Sequence, residues 1–214
     1  MPPFRRSAEV RRPATEQEPF VSALILAAGP SRRMGTAKLA LPVEGVAMLR
    51  RVAEAAVGSR CRETVVVLGA AQDVYRPLLE GMPVLTVENP DFEHGMSTSI
   101  RAGVAALSAE SKAVVILLAD QPRITSHIIN RLIEVYLEEG KRIVASSYQG
   151  VVGVPVLFDG ALYLELLTLE GDGGARSVIE TYPQHGVAVP LEEGAWEDVD
   201  VPSDLARGRE AAPG

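Results

Sequence analysis

VSALILAAGPSRRMGTAK, residues 21–38, opens as an apolar run and closes as a loop of glycine, hydroxyl and cationic side chains. Residues 21–28 have strand length and almost no polar atoms, which reads as a strand buried on both faces. The loop after it suits a polyphosphate. Gly29 and Gly35 let backbone approach a ligand with no Cβ in the way, Ser31 offers a hydroxyl, and Arg32, Arg33 and Lys38 supply positive charge. It is not a Walker A sequence, because Thr36 and Ala37 separate Gly35 from Lys38, and GxGxxG is absent.

Working outward, apolar runs of strand length alternate with amphipathic stretches, as in a parallel sheet joined by crossover helices. After the first strand the spacing predicts a helix over 46–57, a strand over 63–68, a helix over 71–80 and a short strand over 83–87. Helices are expected over 96–107 and 125–139, the latter with Thr125 or Ser126 as N-cap. Between them AVVILLA, 113–119, is apolar throughout and belongs at the centre of the sheet. Strands over 142–147 and 151–158 follow, then a helix over 160–168, a glycine-rich turn into another helix from 171, a late strand over 187–190 and a closing helix over 202–209. The fold class is α/β, a three-layer Rossmann-like sandwich with a mostly parallel central sheet.

With 214 residues the chain suits one substantial domain, 20–210, behind a flexible tail at 1–19. Its nucleotide-binding half falls at about 20–125 and its acceptor-binding half at about 126–210. A net charge of −7 disfavours a general role on nucleic acid, whose phosphates are held by clustered Lys and Arg. The tail carries Arg5, Arg6, Arg11 and Arg12 diluted by Glu9, Glu16 and Glu18, with no apolar core of signal-peptide length. The expectation is a cytoplasmic protein with no membrane segment. The single cysteine, Cys61, has no partner for an internal disulfide and reads as a structural thiol.

In an open parallel sheet, ligands collect beyond the carboxyl ends of the strands. Asp120 directly follows the most apolar strand and is placed to hold Mg²⁺, a hard cation that takes oxygen ligands and bridges protein to phosphate. Gly69 ends the second strand in the same way. NPDFEHGMSTSIR, 89–101, puts Gly95, Ser97, Thr98 and Ser99 at a helix N-terminus, where backbone N–H groups read a base edge or an anion. In GDGGAR, 171–176, the glycines permit close approach and Arg176 offers a fork of donors to a phosphate. His94, His127 and His185 lie beside no fixed carboxylate or hydroxyl, so histidine acid–base chemistry is not expected.

LAAGPSRRMGTAK resembles the signature LAAGxSxRMGxxK of the nucleotidyltransferases that include the molybdenum cofactor cytidylyltransferases, the MobA/MocA-like family. LLADQPRIT resembles its LADxP motif, GMSTS its GMxxS segment, GDGGAR its GDxGAR motif, and DVDVPSDL, 198–205, its late DIDTPEDL segment. The resemblance implies transfer of a nucleoside monophosphate from a triphosphate to a phosphorylated acceptor, molybdopterin or its metal-loaded form, with release of pyrophosphate. It implies catalytic roles for Lys38, Arg33 and Asp120, and Mg²⁺ held by Asp120 and Asp200. Nucleotide contacts fall to Leu26, Ala27, Ala28, Gly29, Ser31, Arg33, Gly35, Lys38, Gly69, Gly95, Ser97 and Ser99. Asp172, Gly174 and Arg176 face the acceptor.

Ala27-Ala28-Gly29 favours CTP, since relatives with Ala-Gly-Gly there tend to use GTP. Where family members often carry RGHP this chain has Val152-Gly153-Val154-Pro155, which removes cationic acceptor contacts. The rival expectations are transfer to a sugar or polyol phosphate, NAD(P)H-dependent oxidoreduction within the same family, and a nucleotide-binding chaperone that delivers cofactor. A molybdoenzyme that receives the product is the partner implied.

Overall fold

The computed structural model describes residues 18–29 and 37–191, together with the backbone of 5–6. Strands β1 (Arg5–Arg6) and β2 (Val21–Ala27) come first, then a small hairpin of β3 (Pro42–Val43) and β4 (Val46–Ala47). There follow α1 (Met48–Val57), β5 (Glu63–Leu68), α2 (Gln72–Tyr75), β6 (Leu85–Glu88), α3 (Met96–Ala105), β7 (Ala113–Leu118) and α4 (Ser126–Glu139). The chain continues through β8 (Ile143–Tyr148), β9 (Val151–Asp159), α5 (Tyr163–Leu167), α6 (Ala175–Thr181) and β10 (Gly186–Pro190).

The main sheet runs β1-β10-β8-β9-β7-β2-β5-β6, and β7 lies centrally as its composition requires. Every pairing is parallel except those of β9, which runs antiparallel to β7 and β8. Side chains alternate along β2: Ala23, Ile25 and Ala27 enter one core with Leu49, Val52, Leu132 and Ile133, while Leu24 and Leu26 enter the other with Ile100, Val178 and Ile179. Helices α1 and α4 therefore cover one face, and α3, α5 and α6 the other. Each fully buried Leu, Ile or Val adds about 1.5–3 kcal/mol of transfer free energy, and β2 and β7 are covered on both faces.

Several boundaries differ from expectation. Val46–Ala47 pairs antiparallel with Pro42–Val43, so α1 begins at Met48. The stretch expected as a helix over 71–80 is one turn of α-helix followed by a 3-10 turn over Arg76–Leu79, because Pro77 has no N–H to continue the ladder. A 3-10 turn, Gly160–Leu162, precedes the short α5. Thr125 is the cap of α4, its side chain accepting from Ile128 N. The closing helix expected over 202–209 lies outside the described residues, as does most of the tail, although Arg5–Arg6 pairs alongside Val187 and Ala188.

At the amino edge of the sheet a buried polar chain ties three strands to α5. Tyr163 and Ser111 share a hydrogen bond of 2.7 Å, Ser111 meets Ser22 at 2.7 Å, and Ser22 donates to Glu63, which also accepts from Ser108 N. Hydroxyls that interrupt an apolar core are tolerated when satisfied in this way. The chain lies at the opposite end of the strands from the candidate site. Among the described residues no helix is long and apolar enough to cross a membrane.

Candidate nucleotide site

Ala27 is in register with Leu68, Leu68 with Glu88, and Leu26 with Leu118, so β2, β5, β6 and β7 end along one rim. The loops that leave this rim carry the candidate groups. Lys38 opens a 3-10 turn over Lys38–Ala40 and is 8% exposed, while Asp120 follows β7 directly. Lys38 Nζ donates to Asp120 Oδ2 at 2.9 Å. The ammonium and carboxylate side chains are 10% and 29% exposed, so the pair is shielded from water at its cationic end and open at its anionic end. Shielding makes the pair electrostatically stronger than a surface bridge, and separating it without a substitute charge is costly.

Gly29 lies on the same rim, and among the described residues a Cβ built on it meets no atom within 4 Å. Gly69 is the reverse case: a Cβ there would come within 2.8 Å of Ala28 O and 2.9 Å of Phe92 Cβ, and Ala70 N donates to the same carbonyl at 3.1 Å. Glycine at 69 lets the loop after β5 lie against the loop after β2. Leu26, Ala27 and Ala28 are buried, so any contact they make with a ligand runs through backbone. Ser31, Arg33 and Gly35 lie outside the described residues, as does Asp200.

The α3 entrance is arranged differently from expectation. Ser97, Thr98 and Ser99 are all buried. Asn89, 3% exposed, donates through Nδ2 to Thr98 Oγ1 and Ser99 Oγ at 2.9 Å each, and its Oδ1 accepts from Asp91 N at 3.1 Å. The hydroxyl of Ser99 is thus turned inward, and Ser97 Oγ has no hydrogen-bond partner among the described residues. Asn89 is the residue that sequence reasoning missed. Its signal was present, an Asn-Pro step leaving a strand toward a hydroxyl-rich helix start.

Gly95, at φ 105°, is the N-cap of α3, and its Cβ would fall 2.2 Å from Gly171 O. Ser97 N donates to that same carbonyl at 3.3 Å, and a Cβ on Gly174 would lie 2.9 Å from Met96 Sδ. The loop carrying GDGGAR therefore docks directly onto the start of α3. Asp172 lies exposed in this loop and Gly174 is the N-cap of α6. Arg176 projects from the first turn of α6, its side chain 69% exposed, with Nε donating to Glu180 at 2.8 Å. The two expected motif loops meet one another. Arg176 is held on the outside by an exposed i,i+4 pair worth only about 0.3–0.5 kcal/mol.

The donor set bears on which metal this rim suits. Among the described residues no three His, Cys, Asp or Glu side chains come together. One hard carboxylate at a strand end fits a cation such as Mg²⁺ or Mn²⁺, which keeps most of its shell for water and phosphate. A separate cavity of about 330 Å³ lies between α1 and the start of α4, lined by Val46, Arg51, Glu54, Pro122, Arg123 and Thr125. Arg51 is spent there on Pro122 O, Val43 O and Glu44, bracing the β3–β4 hairpin.

A loop lysine paired with a strand-end aspartate at the carboxyl rim of a mostly parallel sheet fits a nucleotidyltransferase. The chain belongs to the MobA-like NTP transferase domain family, whose pattern it matches over residues 23–187. It is 32% identical to the purine catabolism protein PucB of Bacillus subtilis (strain 168), covering 91% of this chain and 98% of that protein. It is 29% identical to the nicotine blue oxidoreductase of Paenarthrobacter nicotinovorans over 88% of this chain and 96% of that one. Identity with the molybdenum cofactor cytidylyltransferase of Escherichia coli (strain K12) is 22%, over 89% and 96%.

Among solved structures, Rv0371c of Mycobacterium tuberculosis H37Rv superposes with a TM-score of 0.76 at 27% identity, covering 90% of this chain and 99% of that one. Its complex with manganese gives 0.73 at 25% identity over the same shares. A nucleotidyl transferase of Methanothermobacter thermautotroptrophicus, at 23% identity and a TM-score of 0.78 over 89% and 96%, shares the fold.

Proposed function

We propose that this protein moves the nucleotidyl group of CTP onto the phosphate of a small acceptor, molybdopterin or its metal-loaded form, and releases pyrophosphate. The observation that carries the reading is the Lys38–Asp120 pair at the carboxyl rim. An acceptor phosphate oxygen forms the new bond to the α-phosphorus as the bond from that phosphorus to the bridging oxygen breaks. The electron pair leaves with pyrophosphate. The attacking phosphate is already ionised at neutral pH, so the chain needs no strong base.

Lys38, with Arg33 from the loop outside the described residues, offsets negative charge on the triphosphate. Preorganised charge of this kind supplies much of the rate in phosphoryl and nucleotidyl transfer. Asp120 and Asp200 would hold a divalent cation, which when bound supplies charge neutralisation across the phosphates. The manganese complex of Rv0371c supports a divalent ion. Ala27-Ala28-Gly29 and the cytidylyltransferase of Escherichia coli support CTP. Asp172, Gly174 and Arg176 receive the acceptor, and a molybdoenzyme takes the product.

A second reading, hydride transfer from NAD(P)H, is favoured by the likeness to nicotine blue oxidoreductase alone. The two separate in one screen. Each of CTP, GTP, ATP and UTP with Mg²⁺ is offered with molybdopterin, a sugar phosphate and a polyol phosphate, and pyrophosphate is measured. CTP with molybdopterin gives pyrophosphate on the proposal. Oxidation of NAD(P)H with no pyrophosphate from any pair overturns it.

A further inference from the structure

Two observations on the rim point past the reaction itself to the order in which its components arrive. The carboxylate that a divalent cation needs already holds a cation, because Lys38 Nζ sits 2.9 Å from Asp120 Oδ2 with its stem buried. Nor is that pair open at its cationic end, where the Lys38 side chain is 10% exposed against 29% for Asp120. A divalent ion arriving alone meets a carboxylate already neutralised, and beside it an ammonium that repels it. A triphosphate changes both conditions, since it supplies oxygen ligands to the metal and a stronger anionic partner for Lys38.

We propose that Lys38 is a placeholder cation, holding Asp120 in the free protein and releasing it when a nucleoside triphosphate draws the ammonium away, so that divalent metal binds with the nucleotide and not before it. This rests on the nucleotidyl-transfer reading and adds the sequence of assembly. It is a statement about binding, and a shift in population follows from the differential contacts Lys38 makes in the two states. The cost of leaving Asp120 ionised and unpaired is never incurred, because one cation replaces the other as it departs.

The test uses Mn²⁺ as probe, with free ion counted by electron paramagnetic resonance in the absence of any nucleotide. Wild-type protein is expected to bind no Mn²⁺ below about 1 mM. Lys38→Met binds it at least about tenfold more tightly, the size of an ordinary coupling between sites. Lys38→Arg, which keeps the charge, stays as weak as wild type, and Lys38→Met with Asp120→Asn loses the gain. Tight micromolar binding of Mn²⁺ to the wild-type protein alone overturns the proposal without recourse to any variant, and so does a folded Lys38→Met that gains nothing. Titration of Mg·CTP onto wild type runs beside it: failure there removes the nucleotidyl-transfer reading, whereas binding of CTP with tight binding of free Mn²⁺ removes the placeholder alone.

Discussion

Lys38 and Asp120, 82 positions apart in sequence, are joined at 2.9 Å between Nζ and Oδ2. The contact bridges the loop before α1 and the loop after β7, so it exists only because β2 and β7 are neighbours in register, Leu26 beside Leu118. Two groups of opposite charge held at one rim of the sheet are positioned before any ligand arrives. Preorganisation of this sort is what a transfer reaction with little covalent chemistry of its own requires.

Removing either member tests that role. Lys38→Ala and Asp120→Ala are expected to leave a folded protein, since both sit at the rim outside the two cores, and to lower turnover by about 10²–10³-fold each. Circular dichroism supplies the folding control and pyrophosphate release the rate. Full activity in both variants contradicts the assignment.

The docking of the GDGGAR loop on α3 makes Gly95 intolerant of any side chain. A Cβ there is 2.2 Å from Gly171 O and sits on backbone at φ 105°. Gly45 also has positive φ, 84°, but opens onto free space. Gly95→Ala is expected to lower stability by more than about 2 kcal/mol, against about 1 kcal/mol for Gly45→Ala. Urea midpoints of the two variants compare the costs directly, and equal shifts would show that the close contact carries nothing.

Much of this was legible in residues 21–38 and 113–120, because a run buried on both faces belongs in the interior of a covered sheet and the polar residue that ends it falls at the rim. What periodicity could not show was the local geometry. Nothing in MSTS distinguishes hydroxyls facing a ligand from hydroxyls facing Asn89, since helix spacing fixes a face and not its partner. Arg176 likewise reads as a phosphate ligand in sequence, and only coordinates place it beside Glu180. The hairpin of Pro42–Val43 with Val46–Ala47 was hidden by apolar residues that fit the helix after it equally well.

Asn89 carries the structure of the α3 entrance. Asn89→Ala removes the donor to two buried hydroxyls and the acceptor for Asp91 N. The expected loss is about 1–3 kcal/mol, measured by urea unfolding, since buried polar groups left unpaired forfeit their desolvation cost. Weakened CTP binding should accompany it.

Two half-buried tyrosines give the protein an alkaline limit. Burial, reinforced by Asp159 and Glu63 and opposed by the Ser111 hydrogen bond, pushes the Tyr163 phenol up to about 12 from 10.0. Tyr136 is raised too, by burial and then by its hydrogen bond to Asp159. The unfolded chain releases these protons at lower pH than the folded one. Their stabilisation is therefore complete below pH 10 and is lost progressively as pH climbs toward the folded values. Urea midpoints should fall across that window in wild type and fall less steeply in Tyr136→Phe/Tyr163→Phe.

The central claim is tested most directly by calorimetric titration of Mg·CTP onto the folded wild-type protein and onto Lys38→Ala, with NADPH titrated in parallel. The account predicts saturable CTP binding to wild type, weakened at least about tenfold by the substitution, and no comparable binding of NADPH. Binding of NADPH with no response to Mg·CTP would contradict it.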